Sequence, residues 1–168
     1  FVYESELHES SASISHREFS NLAIEGEIAV RLGADLEPES VMAVIELHNL
    51  VLRSTPRSLQ ELIANNGIHA GVVLPPSPTP WGDRPESGSL RVFADDRLIE
   101  EADMYGVPGG PEGSLEWLKR HLQDHGLELG EGMLILTGTP LGMNPVRPGD
   151  KVRVEADGLE PVEMTVVA

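Results

Sequence analysis

The chain has 168 residues, with 28 acidic side chains against 12 basic ones and a formal net charge of -16. It has no cysteine, which excludes disulfide frameworks, thiolate nucleophiles and zinc–sulfur centres. So acidic a composition argues against nucleic acid as a partner, because phosphate binding requires clustered lysine and arginine.

Hydrophobic residues make up 40%, enough for a packed core, and no apolar run approaches the roughly 20 residues needed to cross a bilayer. A cytoplasmic protein with no membrane partner is the expectation. The chain opens Phe1-Val2-Tyr3-Glu4, without methionine or a signal-peptide pattern. It reads as one domain over residues 1–168, the later part of a longer polypeptide that lacks its upstream segment.

Residues 1–22 are polar and serine-rich and predict a loop or weak hairpin. The first clear strand covers about 23–33, where Ala23-Ile24-Glu25-Gly26-Glu27-Ile28-Ala29-Val30 is broken only by two glutamates and a glycine. Side chains alternate along a strand, so Glu25 and Glu27 point one way and Ile24, Ile28 and Val30 the other. Two like charges held side by side on a mostly buried strand cost several kcal/mol of repulsion and lost hydration. A divalent cation compensates most economically, and hard oxygen pairs suit Mg²⁺ or Mn²⁺. From the pair alone, an edge strand with one wet face fits equally well.

Pro38-Glu39-Ser40 predicts a helix start, with Val41, Met42, Val44 and Ile45 as apolar residues, although Val41–Ile45 fits a strand equally well. Glu46 closes this stretch and offers a third carboxylate; alone it reads as the solvated end of an element. Ser58 is an N-cap candidate for a helical turn over 59–64, stopped by Asn65-Asn66-Gly67. Ala70–Leu74 predicts a short buried strand, and Pro75–Ser89 a stiff connection.

Leu90–Ala94 and Arg97–Ile99 predict a hairpin about Asp95-Asp96. Leu115, Leu118 and Leu122 predict a helix over 113–125, with Trp117 among its core residues and Gly126 as C-cap. A buried strand is expected over Met133–Thr137, then a glycine- and proline-rich loop over 138–149. Alternating strands at 151–156 and 162–167 flank an Asp157-Gly158 turn. Helices lie between more numerous strands, which predicts an α+β fold on a mixed or antiparallel sheet.

Taken together, these residues resemble the fumarylacetoacetate hydrolase superfamily. Residues 25–36, Glu-Gly-Glu-Ile-Ala-Val-Arg-Leu-Gly-Ala-Asp-Leu, are similar to its E-x-E-I-A-x-x-L-G-x-D-L signature. Ile45-Glu46-Leu47 and Ala64-Asn65-Asn66-Gly67 resemble segments of the 2-keto-4-pentenoate hydratase and oxalocrotonate decarboxylase branch. So do Gly113–Leu118, Gly132–Thr139 and Pro148–Val152. The resemblance implies the mixed β-sheet roll of that family's C-terminal domain, with short helices between strands. It implies Mg²⁺ or Mn²⁺ as cofactor on Glu25, Glu27 and Glu46, and substrate contact by Thr139. Without the resemblance, Thr139 reads as a turn hydroxyl bonding its own backbone. A homo-oligomer is also implied.

The chain departs from that branch in places. Leu47-His48-Asn49-Leu50-Val51 stands where the hydratases read I-V-D-S-R, so Asn49 replaces an acid and Arg53 comes two positions late. Thr137–Gly142 is closer to the hydrolases' G-T-P-x-G. The lysine and aspartate that hydratases carry upstream have no counterpart, and Lys119 and Lys151 stand in surface-like contexts. His8 and His16 are candidates for a base on a lid, or solvated loop histidines. His48 and His69 are candidates for orienting substrate or water, or hydrogen-bonded structural histidines.

The resemblance implies a metal-dependent lyase acting on a 2-keto acid or its enol through a metal-stabilised enolate, as a hydratase or decarboxylase of 2-hydroxydienoate-type substrates met in aromatic catabolism. A carbon–carbon hydrolase of acylpyruvates is the alternative, and a non-catalytic or truncated fold relative the third reading.

Overall fold

Two long apolar runs dominate the fold. In the computed structural model, which describes residues 1–52 and 58–168, they form adjacent strands over 22–32 and 38–49 that pair along nearly their whole length. In chain order the strands are β1 (Leu7–Glu9), β2 (Ala12–Ser15), β3 (Leu22–Leu32), β4 (Pro38–Asn49), β5 (His69–Leu74), β6 (Thr79–Pro80), β7 (Ser89–Ala94), β8 (Arg97–Asp103), β9 (Leu134–Leu136), β10 (Asn144–Pro145), β11 (Lys151–Ala156) and β12 (Val162–Val167). Helix α1 spans Leu59–Ala64 and α2 spans Gly110–Asp124. One sheet runs β1-β5-β4-β3-β10, with β6 on β4 and β9 on β3; the other runs β2-β12-β11-β7-β8. The β1–β5 and β2–β12 pairs are parallel and the rest antiparallel, so the α+β class rests on mixed sheets.

Both faces of the β3–β4 ladder are covered. Ile24, Ile28 and Val30 of β3 pack with Val41, Ala43, Ile45 and Leu47 of β4 against Leu90, Val92, Val152, Val154 and Val162 of the second sheet. The opposite face carries a smaller cluster of Ala29, Met42, Val44 and Val72. A strand apolar on both faces loses its alternation. That is why 38–45 reads as helix or strand from periodicity alone, and pairing with β3 and β5 decides for strand.

Several expectations are corrected. Residues 1–22 are no hairpin: β1 joins the first sheet beside β5, and β2 joins the second beside β12. The second arm of the hairpin about Asp95-Asp96 runs on to Asp103, and Asp95 and Asp96 both have positive φ, as its tight turn requires. The 75–89 connection includes β6, which pairs with Ser40–Val41. Helix α2 starts at Gly110, three residues early, and Trp117 is 58% exposed and stacked on His121 rather than in the core. The 133–137 strand shortens to Leu134–Leu136, with Met133 exposed. Ser58 caps α1 as expected, accepting from the Glu61 N–H while the Glu61 carboxylate receives the Ser58 N–H. No helix is long and apolar enough to cross a membrane among the described residues.

At Gly26 the second sheet approaches β3 closely. A Cβ there would lie 2.7 Å from Val92 Cγ2 and 3.2 Å from both Val154 methyls. Both valines are fully buried and stiff at χ1, so neither can swing aside. Gly26→Ala is expected to destabilise the fold by about 1–3 kcal/mol through overpacking, read as a lower urea midpoint at unchanged slope. An unaltered midpoint would mean that the sheets separate freely at this point.

Candidate metal centre

Register brings the acids together. Glu25 lies directly opposite Glu46 across the β3–β4 ladder, and Glu27 is opposite Val44, so all three share the face away from the second sheet. Two residues beyond Glu46 on β4, His48 falls on that face too, opposite Ala23 and diagonal to Glu25. The His48 Nε2 lies 3.2 Å from Glu25 Oε2 and 3.5 Å from Glu46 Oε2. Ligand atoms of Glu25, Glu46 and His48 fall within 4.8 Å of one another. Glu27 is 2% exposed and accepts the Gly138 N–H.

Beyond the carboxylates lies a supporting layer. His69 Nδ1 is 2.7 Å from Glu46 Oε1, an arrangement in which Nδ1–H donates to the carboxylate, and its Nε2 faces Glu6 Oε2 at 3.8 Å. Ile68, immediately before it, has φ +59, a rare conformation for a β-branched residue, and stays buried. Gly71 has φ +148, and a Cβ there would meet the Glu6 carbonyl oxygen at 3.0 Å. That close approach sets the turn carrying Glu6 beside His69. A cleft of about 370 Å³ opens at His69 and is also lined by Glu6, Glu18, Phe19 and Asn49.

The loop after β9 completes the site. Between its contacts with β9 and β10, β3 is paired by this loop instead of a strand. Thr137 donates its N–H and hydroxyl to the Ile28 carbonyl, at 3.2 and 2.7 Å. Thr139 Oγ1 donates to the Gly26 carbonyl at 2.6 Å and accepts the Leu141 N–H at 3.1 Å. Thr139 therefore reaches the E-x-E strand, but its hydroxyl is committed to backbone.

The other candidates fall elsewhere. His8 pairs in register with Val73, on the opposite face of the sheet from the acids. His16 lies in a short turn beside Asn21, Leu50 and Arg147. Lys119 pairs with Glu37 at 2.7 Å and Lys151 is exposed at the start of β11. Asn49 accepts the Ser20 N–H at 2.9 Å, a structural use of the amide. Arg53 is outside the described residues. Of the surrounding groups, Glu6 and the Gly138 N–H carried no signal in sequence, since both arrive through loop geometry.

The family model described as fumarylacetoacetate (FAA) hydrolase C-terminal matches residues 4–167. A 4-oxalocrotonate decarboxylase from a Pseudomonas species is 28% identical over 162 residues, covering 90% of this chain and 63% of its own length. The chain thus spans less than two thirds of that relative. A mitochondrial oxaloacetate tautomerase of Oryza sativa subsp. japonica is 52% identical over 40 residues, 24% of this chain and 17% of the relative. Among solved structures, 4-oxalocrotonate decarboxylase from Pseudomonas putida G7, complexed with magnesium and adipate, superposes with a TM-score of 0.89 at 18% identity. That match covers 98% of this chain and 67% of that one. Fumarylpyruvate hydrolase from Pseudomonas aeruginosa, in complex with Mn²⁺ and pyruvate, gives 0.71 at 16% identity over 96% of this chain and 73% of its own.

Burial and the neighbouring acids set the charge state of the cluster. Glu27 is pushed well above the usual carboxylate range, first by burial and then by the charge of Glu46. Burial would raise Glu46 as well, but His48 and His69 outweigh it and hold that carboxyl well below its usual range. Burial opposes protonation of His48, yet Glu25 and Glu46 lift it from 6.5 to about 9. A histidine raised on folding contributes stability that is complete below pH 6.5 and lost as pH rises through about 9. In chelator-treated protein, the melting temperature is therefore expected to fall across that window, and His48→Gln to flatten the fall. Parallel pH profiles for parent and variant would show that this histidine is not the group responsible.

Proposed function

Because this chain belongs to the fumarylacetoacetate hydrolase C-terminal family, we propose that it is a divalent-metal-dependent enzyme acting on a 2-keto acid or its enol. Glu25, Glu27 and Glu46 would hold the cation, Mg²⁺ or Mn²⁺. The observation that carries this reading is the placement of three carboxylates, two of them nearly buried, on one face of two paired strands. Such a donor set fits a hard cation, since mutual repulsion and lost hydration are both offset by a divalent charge. Both His48 nitrogens and Nε2 of His69 are buried without hydrogen-bond partners among the described residues, which marks the cluster as incomplete by itself.

Bound there, a divalent cation supplies Lewis-acid polarisation of a 2-oxo oxygen. The chain's own residues do the rest of what can be derived. His69 orients the Glu46 carboxylate through Nδ1. The Gly138 N–H fixes Glu27, and Thr137 and Thr139 bind their loop to the backbone of β3, so the carboxylates keep their positions. Thr139 acts here by holding the loop, with its backbone beside the site.

The decarboxylase at 28% identity supports hydratase or decarboxylase chemistry over carbon–carbon hydrolysis. Cytoplasmic location and self-association belong to the same proposal. Mg²⁺ or Mn²⁺ is expected to raise the melting temperature of the parent and not that of the Glu25→Gln/Glu27→Gln variant. Ultraviolet assays with 2-hydroxydienoate, oxaloacetate and acylpyruvates are expected to show turnover that chelator abolishes. Glu46→Gln should reduce it to about 1% or less. Absence of a metal-induced shift in the parent would remove the proposal, and turnover of acylpyruvates alone would favour the hydrolase.

A further inference from the structure

We propose that His48 supplies a nitrogen ligand beside Glu25 and Glu46, making this a mixed oxygen–nitrogen site that prefers Fe²⁺ or Zn²⁺ to Mg²⁺. The inference rests on the metal-site reading above and goes beyond it, because three carboxylates alone describe an all-oxygen site.

Position is the first argument. His48 follows Glu46 at the i+2 position on β4, so its ring leaves the same face of the sheet, and its partner across the ladder is Ala23. A methyl group there leaves the imidazole room to lean along the diagonal toward Glu25. Diagonal neighbours on one face lie about 7–8 Å apart at Cα, within reach of long side chains.

The second argument is the state of the ring. His48 is 6% exposed, and neither of its nitrogens has a hydrogen-bond partner among the described residues. Nε2 points into the carboxylates at 3.2 and 3.5 Å, yet neither contact has hydrogen-bond geometry. An imidazole placed only to donate a hydrogen bond to one of these oxygens would be aligned on it. A nitrogen sharing an ion with two carboxylates instead faces the space between them. Two ligand atoms each about 2.1 Å from one ion lie up to about 4.2 Å apart. The ligand atoms of Glu25, Glu46 and His48 all lie within 4.8 Å of one another, and Nε2 is already inside that spacing from both carboxylates.

Ligand chemistry gives the consequence. Carboxylate and water oxygens suit Mg²⁺, whereas imidazole adds affinity for first-row transition ions in the order Mn²⁺ < Fe²⁺ < Co²⁺, with Zn²⁺ also favoured. Glu27, which accepts the Gly138 N–H, keeps the ligand role proposed above, so that His48 adds a nitrogen to the carboxylate set.

The test is pulsed electron paramagnetic resonance on the full chain loaded with Mn²⁺ as probe, with calorimetric titration of Mg²⁺ and Zn²⁺. The parent should show a directly bound ¹⁴N coupling that disappears in His48→Gln and survives in His69→Gln. The Zn²⁺-to-Mg²⁺ affinity ratio should fall about tenfold or more in His48→Gln, with Mg²⁺ binding retained. Bound Mn²⁺ without nitrogen coupling in the parent, or an unchanged ratio in the variant, overturns the inference while leaving the carboxylate site standing. No binding of any of these ions overturns both. Should His48→Gln fail to fold, the coupling in His69→Gln decides: present, it supports the nitrogen ligand, and absent, it refutes it.

Discussion

Glu25 faces Glu46 across two of the most deeply buried strands of the protein, with Glu27 one step along the same face. Like charges directly opposite on a ladder repel, and burial removes the water that would screen them. This arrangement is unfavourable unless positive charge is brought to it. Protein groups supply a partial answer: Glu27 favours its neutral form, and two histidines lean on Glu46. The loop after β9, the turn carrying Glu6 and the strained backbone at Ile68 are all disposed around that need.

The sheet pair makes the arrangement rigid enough to matter. On the far side of β3 and β4, valines, isoleucines and leucines of both sheets interlock, and the missing side chain at Gly26 lets Val92 and Val154 close onto the strand. A buried strand clamped in this way does not yield to repulsion between its own carboxylates. The apolar face therefore does not merely fold the chain; it holds the acids at a separation they would not choose in water.

Much of the candidate site is legible in the sequence. An E-x-E in an apolar run places two carboxylates on one face by the period of the strand, and Glu46 ends a second apolar run. The placement of His48 was not legible as a site feature, because periodicity left 38–45 open between helix and strand. Only in a strand does i+2 from Glu46 bring the imidazole to the acids. Trp117 shows the opposite error. Helical spacing grouped it with leucines, but the face that α2 buries was decided by where the β3 sheet lies.

By itself, the sequence determined the faces of β3, the hairpin about Asp95-Asp96, the cap of α1 and the family resemblance, since each follows from local geometry or from short-range order of residues. Tertiary structure alone decided that Glu25 stands opposite Glu46 and not one residue out of step. It also decided that β1 and β2 part to different sheets, and that Glu6, His69 and the Gly138 N–H meet the acids. Register and loop closure depend on contacts between distant residues, such as Gly138 and Glu27, 111 positions apart. No local pattern encodes a contact of that separation; packing of the whole core selects it.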